Sequence, residues 1–145
     1  MPRFALAVPA AAAALATAAV LAASGSAQTA PTTLHLVSKH DASVGYFPKG
    51  RPRSGEGVGF GDKVTGDDTG FDRGACTIIG RRMLCTIEVH LSKGTLGAQG
   101  LLPQRSHANP VAIVGGTGAY DGARGTALVT DVNDSTSTVD VTLKP

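Results

Sequence analysis

Tryptophan is absent from this chain, and aromatic residues fill only 4% of its 145 positions. A core without large rings has to be assembled from Val, Ile and Leu, and it will be modest. Charge of one sign is also missing: 13 Lys and Arg face 11 Asp and Glu. A nucleic-acid binder normally carries a dense basic face. Here only "KGRPR", Lys49 to Arg53, is locally basic, and its Gly and Pro mark a solvated loop, so no nucleic-acid partner is expected. After Thr32 no stretch of ten residues holds apolar side chains at three-four spacing, which excludes an amphipathic helix.

Long hydrophobic runs are missing too, with one exception at the N-terminus. "MPRFALAVPAAAAALATAAVLAASGSA" places Arg3 ahead of an Ala/Val/Leu segment that passes into small residues ending at Ala27. This is the order of a secretory signal peptide. A membrane anchor is the rival reading, but no basic stop-transfer cluster follows the run. The expectation is therefore residues 1–27 as a signal peptide and residues 28–145 as one secreted, extracellular domain with no membrane attachment after cleavage.

Cysteine is scarce, with Cys76 and Cys85 the only two. In an exported chain an even pair reads as a disulfide, and "TIIGRRML" between them suits the arms of a hairpin. The alternatives are a zinc or a redox pair. Zinc would need two further ligands at close spacing, and C-x8-C is not a redox motif.

What is abundant is alternation and glycine. "TLHLVSK" sets Leu34 and Leu36 on one face, and "CTIEVHLS" sets Cys85, Ile87, Val89 and Leu91 against Thr86, Glu88 and His90. "TALVTDV" and "STVDVTLK" continue the pattern, with Val139, Val141 and Leu143 together. Turn signals stand between them at Ser92–Gly94, Asp121–Gly125 and Val132–Ser135. Short strands with frequent turns indicate an all-β sandwich or barrel. The stretch "SVGYFPKGRPRSGEGVGFG", at about 43–61, reads as a long exposed loop.

Five glycines fall within "VAIVGGTGAYDGARGTALV". A dinucleotide site needs G-x-G-x-x-G opening a helix, whereas Gly116, Gly118 and Gly122 give G-x-G-x-x-x-G followed by a strand pattern. The run is a turning device. Gly115, Gly116 and Gly118 allow positive φ and close strand approach, Gly122 and Gly125 serve the return, and Tyr120 can lie over residues without side chains.

With those residues in view, "AIVGGTGAYDGARG" resembles the signature of the allene oxide cyclase and dirigent superfamily. "GFGDK", "TGFDRGAC" and "LSKGTLGAQG" are similar to further segments of that family, in matching order, so that the likeness covers about Gly57 to Lys144. The resemblance implies an eight-stranded antiparallel, calycin-like β-barrel, a homo-oligomer (trimer or dimer), and an interior for a hydrophobic or phenolic small molecule. Such barrels act by confining and orienting what they hold, an effect that can supply several kcal/mol without a nucleophile. Any activity would be of the cyclase or isomerase kind, with no cofactor and no metal. The plant cyclases carry a glutamate and an asparagine on the first strand. "TTLHLVSKH" has neither, and His35 and Val37 fall at about those positions. The fold is thus expected to carry over, and the cyclase reaction is not.

Candidate catalytic residues are Glu88, His90 and His35. Glu88 and His90 share a strand face two residues apart and could share a proton, or they could be a solvated outer face. Candidate ligand-binding residues are Tyr120, Arg124 and Asp62. Arg124 could hold a ligand carboxylate or pair with Asp121 or Asp131, and Asp62 could close the barrel mouth or cap a turn. His35, His40, His90 and His107 show no metal-ligand spacing, and no Ser-His-Asp arrangement emerges. Two functions of different class follow. One is a barrel that binds a small hydrophobic molecule and steers its cyclisation or coupling. The other is a non-catalytic extracellular barrel with a filled interior, acting through its surface or its oligomer contacts. An open cavity above roughly 300 Å³ that contains His35, Tyr120 or Glu88 would favour the first, and a filled interior the second. For the cysteines the expected outcome is direct. A free-thiol assay on the unreduced chain finds no reactive cysteine, and reduction lowers stability by about 2–3 kcal/mol in a denaturant titration.

Overall fold

The computed structural model describes residues 32–45, 53–104 and 106–145, with side chains from 42 to 45 left aside. The expected signal peptide and the core of the expected loop, residues 46–52, lie outside the described residues. Eight strands follow in chain order: β1 (Thr32–Gly45), β2 (Gly57–Gly66), β3 (Gly70–Ile79), β4 (Arg82–Leu91), β5 (Gly94–Pro103), β6 (Ala108–Gly116), β7 (Gly125–Asn133) and β8 (Thr136–Leu143). Each pairs antiparallel with its chain neighbour, and β8 closes on β1 through Leu34 opposite Val141 and Leu36 opposite Val139. Closure removes both sheet edges. The loop expected at 43–61 is shorter than the sequence suggests, because β1 runs to Gly45 and β2 starts at Gly57.

Alternation decides what faces inward. Leu34, Leu36 and Ser38 of β1 are buried while His35, Val37 and Lys39 are exposed. Across β8, β7 and β6, Val141, Ala127 and Val111 continue the layer begun by Leu34, and all four are buried. Strands β2, β3 and β5 are rich in glycine, which hides their alternation in the sequence. Gly74 of β3 shows why glycine is needed there: a Cβ would run into the Phe60 ring that lies across it from β2. Cys76 and Cys85, directly opposite on β3 and β4, form a disulfide with an S–S distance of 2.04 Å.

One end of the barrel is shut. Between β6 and β7 the chain makes a single 3-10 turn, Gly118–Tyr120, with Gly118 at φ 63° and Gly122 at φ 68°. This turn folds against the β4–β5 turn, where the Ala119 N–H donates to the Lys93 carbonyl at 2.8 Å. Gly116 permits the approach, since a Cβ there would strike the Tyr120 and Thr95 carbonyls. Beneath it Asp68, from the β2–β3 turn, gathers donors from three segments. The Tyr120 hydroxyl donates at 3.0 Å, the Thr69 N–H at 2.7 Å, and Ser92 gives both its hydroxyl and its N–H. These donors, the Ser92 hydroxyl first, hold the Asp68 carboxyl at about 2, below its ordinary 3.8. Burial and the neighbouring Asp68 raise the Tyr120 phenol in turn.

A depressed carboxyl stabilises the fold above its unfolded value and loses that contribution as pH falls through the folded value. Thermal melts followed by circular dichroism should therefore show a steep loss of stability between about pH 4 and pH 2. Asp68→Asn should lower the melting temperature at neutral pH and flatten that acid limb.

Candidate functional site

The inward residues do not fill the barrel. A cavity of about 310 Å³ runs toward the end that carries the β5–β6 and β7–β8 turns. Its walls are aliphatic, with Leu36, Val64, Leu96, Ile113 and Val141 among them, together with Phe60, Met83 and the Cys76–Cys85 disulfide. Small inward residues, Ala98 and Ala127, widen it. The volume sits at the small end of ligand pockets.

Polar groups converge toward the mouth. Ser38 follows Leu34 and Leu36 on the inner face of β1, and Asp72 precedes Gly74 and Cys76 on that of β3. Asp62 of β2 lies directly opposite Asp72 in the ladder. The Ser38 hydroxyl donates to Asp62 Oδ2 at 2.8 Å and stands 3.0 Å from Asp72 Oδ2. A hydroxyl has one hydrogen. Both contacts are satisfied together when Asp72 holds a proton and donates it to Ser38 Oγ. Asp62 Oδ1 in turn lies 2.9 Å from His40 Nδ1 on the rim. The result is an unbroken hydrogen-bonded line from the cavity wall to the surface, Asp72–Ser38–Asp62–His40.

Asp72 is 6% exposed. Burial first, and then the charge of Asp62, push its carboxyl up to about 6, against the smaller opposing pulls of Ser38, the Asp62 backbone and Arg73. Its Oδ1 is buried with no hydrogen-bond partner, and so is Oδ1 of Asn109, another cavity residue. Asp72 thus sets a carboxyl of raised pKa beside the cavity, linked through Ser38 and Asp62 to the rim, which is the arrangement of a group able to exchange a proton.

The residues singled out from the sequence are dispersed. Asp62 lines the cavity. Glu88 and His90 lie 3.5 Å apart on the outer face of β4, where the His90 ring stacks on Phe71 with centroids 4.6 Å apart. His35 is also on the outside, 2.7 Å from Asp140, whose hydrogen bond raises the imidazole pKa. Tyr120 belongs to the sealed end, and Arg124 is exposed, its Nη1 donating to the Ala123 carbonyl at 2.8 Å. None of Glu88, His90, His35, Tyr120 and Arg124 lines the cavity. The barrel brings together three residues that sequence reasoning passed over: Asp72, Ser38 and Asn109. A signal for two of them was present. Stepping by two from Leu36 reaches Ser38, and stepping back by two from Cys76 reaches Gly74 and then Asp72. Among the described residues, no three His, Cys, Asp or Glu side chains are grouped to hold a metal ion.

A buried acid whose value is raised costs stability where it must ionise. The folded state binds more protons than the unfolded chain between about 4 and 6, so stability falls as pH rises through that window. Asp72→Asn mimics the neutral form. In urea titrations it should exceed the parent by about 1–3 kcal/mol above pH 6, and the gain should vanish near pH 4.

No family model matches the chain, and no curated protein matches its sequence. Solved structures do. A structure described as pyocyanin demethylase superposes with a TM-score of 0.69 at 27% identity, covering 78% of this chain and all of that one. A pterocarpan synthase dirigent protein gives 0.59 at 24% identity, covering 80% of this chain and 94% of that one. An exo-specific intermolecular Diels-Alderase gives 0.62 at 14%, covering 80% and 99% respectively; these last two likenesses speak for the fold alone. With a closed eight-stranded barrel, a hollow interior and these structural matches, the chain has the fold of the allene oxide cyclase and dirigent-like barrel superfamily.

Proposed function

We propose that this protein is an exported barrel that takes a small hydrophobic molecule into its interior and steers that molecule's cyclisation or coupling. The observation that carries the reading is the cavity of about 310 Å³, aliphatic in its depth, with the buried Asp72 carboxyl among the polar residues toward its mouth. The cavity holds the molecule in a reactive shape, and Asp72 supplies or removes a proton while Ser38 and Asp62 keep the carboxyl oriented. Confinement provides the larger share of the effect, and general acid–base help typically adds a further ~10²–10⁴-fold. The solved relatives support this reading, since their descriptions include a demethylase, dirigent proteins and a Diels-Alderase. The open interior counts against a barrel filled by its own side chains. Homo-oligomer formation is part of the proposal, supported by exposed apolar residues on the outer face, Leu84 and Leu101 directly opposite each other and Leu128 on β7.

Native mass spectrometry of the protein taken from its own culture medium tests the proposal. The expected spectrum shows an oligomer carrying a non-covalent small molecule that organic solvent removes. Val139→Phe, which fills the cavity from β8, should keep the fold and lose the adduct. An adduct retained unchanged in that variant would place the ligand elsewhere and overturn the reading.

A further inference from the structure

The outer wall of the barrel is divided by charge. Outward positions on β8, β1, β2, β3 and β4 carry Asp140, Lys39, Lys63, Arg73 and Glu88. Strands β5, β6 and β7 hold a single charged residue, Asp131, and it lines the cavity. Their outer face is therefore neutral. Leu84 of β4 stands directly opposite Leu101, and Pro110 directly opposite Leu128. With Ala112 and Val114 they make an exposed apolar field, the kind of surface that marks contact with another protein.

A row without side chains at its centre crosses this wall. Glu88 of β4 pairs with Gly97 of β5, and Gly97 pairs with Gly115 of β6. The barrel itself requires neither glycine. Neither has a positive φ. A Cβ at Gly97 would meet nothing nearer than 3.8 Å, and one at Gly115 nothing nearer than the Arg124 guanidinium at 3.7 Å. Glycine weakens a strand, and where the fold has no use for it, it marks the close approach of another backbone. Here the pair leaves a shallow groove bounded by Thr86, Glu88, Thr95, Val114 and Thr117.

Opposite charges border that groove. On the β4 side Glu88 lies 3.5 Å from His90 Nε2. Arg73, directly opposite Glu88 on β3, is drawn elsewhere: its guanidinium lies over the Phe71 ring, 5.0 Å from the centroid, and donates to the Asp72 carbonyl. On the other side Arg124 is exposed and donates to the Ala123 carbonyl, and among the described residues no carboxylate pairs with it. A face that is neutral in the middle and opposite in sign at its two borders is complementary to itself. A partner of uniform charge would lose at one border what it gains at the other.

We propose, building on the homo-oligomer assigned above, that the Gly97–Gly115 groove and the uncharged wall around it form the interface with a second copy of this chain, Glu88 of one protomer pairing with Arg124 of the other. The glycines let the two walls approach closely, and the contact takes Leu84, Leu101 and Leu128 out of water.

Sedimentation velocity on the protein at micromolar concentration tests the interface. Glu88→Arg and Arg124→Glu should each weaken association by at least about tenfold, and the two changes combined should restore it. Gly97→Gln, a side chain the barrel has room for, should give a monomer whose circular dichroism matches the parent. An oligomer that survives either reversal or Gly97→Gln, or a loss that the combined exchange does not recover, overturns the interface and leaves the oligomer and the cavity standing. A parent that stays monomeric overturns the oligomer as well, while a small molecule retained in its native mass spectrum would still uphold the cavity.

Discussion

Eight strands leave an interior only just wide enough to be packed by side chains or to hold one small guest. Which of the two occurs is decided by the size of the residues that the two-residue period turns inward. In this barrel Ala98, Ala127, Val111, Val139 and Gly74 stand inward beside the larger Leu36, Leu96, Ile113 and Met83, with Phe60 laid across a glycine. The absence of tryptophan is thus a structural instruction as much as a compositional fact. One large ring in place of Ala98 or Ala127 would consume much of a 310 Å³ space. Everything proposed for the interior rests on that economy of side-chain volume.

The polar end obeys the same period. Ser38 and Asp62 are inward because Leu36 and Val64 are, two positions away on their strands, and Asp72 because Cys76 is, four positions away. Burial raises Asp72, the hydroxyl of Ser38 bridges it to Asp62, and the ladder fixes all three on adjacent strands. At the other end an equally buried carboxyl, Asp68, goes the opposite way because four donors surround it. Two aspartates in one small barrel are driven apart by their partners, and they take up different work: one fastens turns together, the other stays protonatable beside empty space.

Much of the architecture was legible. The clear alternation of β1, β4, β7 and β8 and the hairpin disulfide could be read directly, and the family resemblance supplied the strand number. Glycine hid β2, β3 and β5, since a residue without a side chain shows no face. The site was legible only in part. Asp62 stood in a motif, but His35, Glu88 and His90 attracted notice for their chemistry although parity with their aliphatic neighbours turns them outward. Asp72 is the reverse case, an ordinary aspartate in "GFDRG" whose importance comes from the Phe60, Asp62 and Ser38 that closure brings around it. Tyr120 looked like a pocket aromatic because ring and glycine fit together; the missing information was its partner Asp68, 52 positions away.

The clasp of Asp68, Ser92 and Tyr120, with Leu34, Leu91 and Leu143 buried near it, gives the barrel a floor. Among the described residues the cavity reaches toward the opposite end, by the β5–β6 and β7–β8 turns. A guest admitted at that end would have to leave there before another could enter, so exchange would be governed by departure.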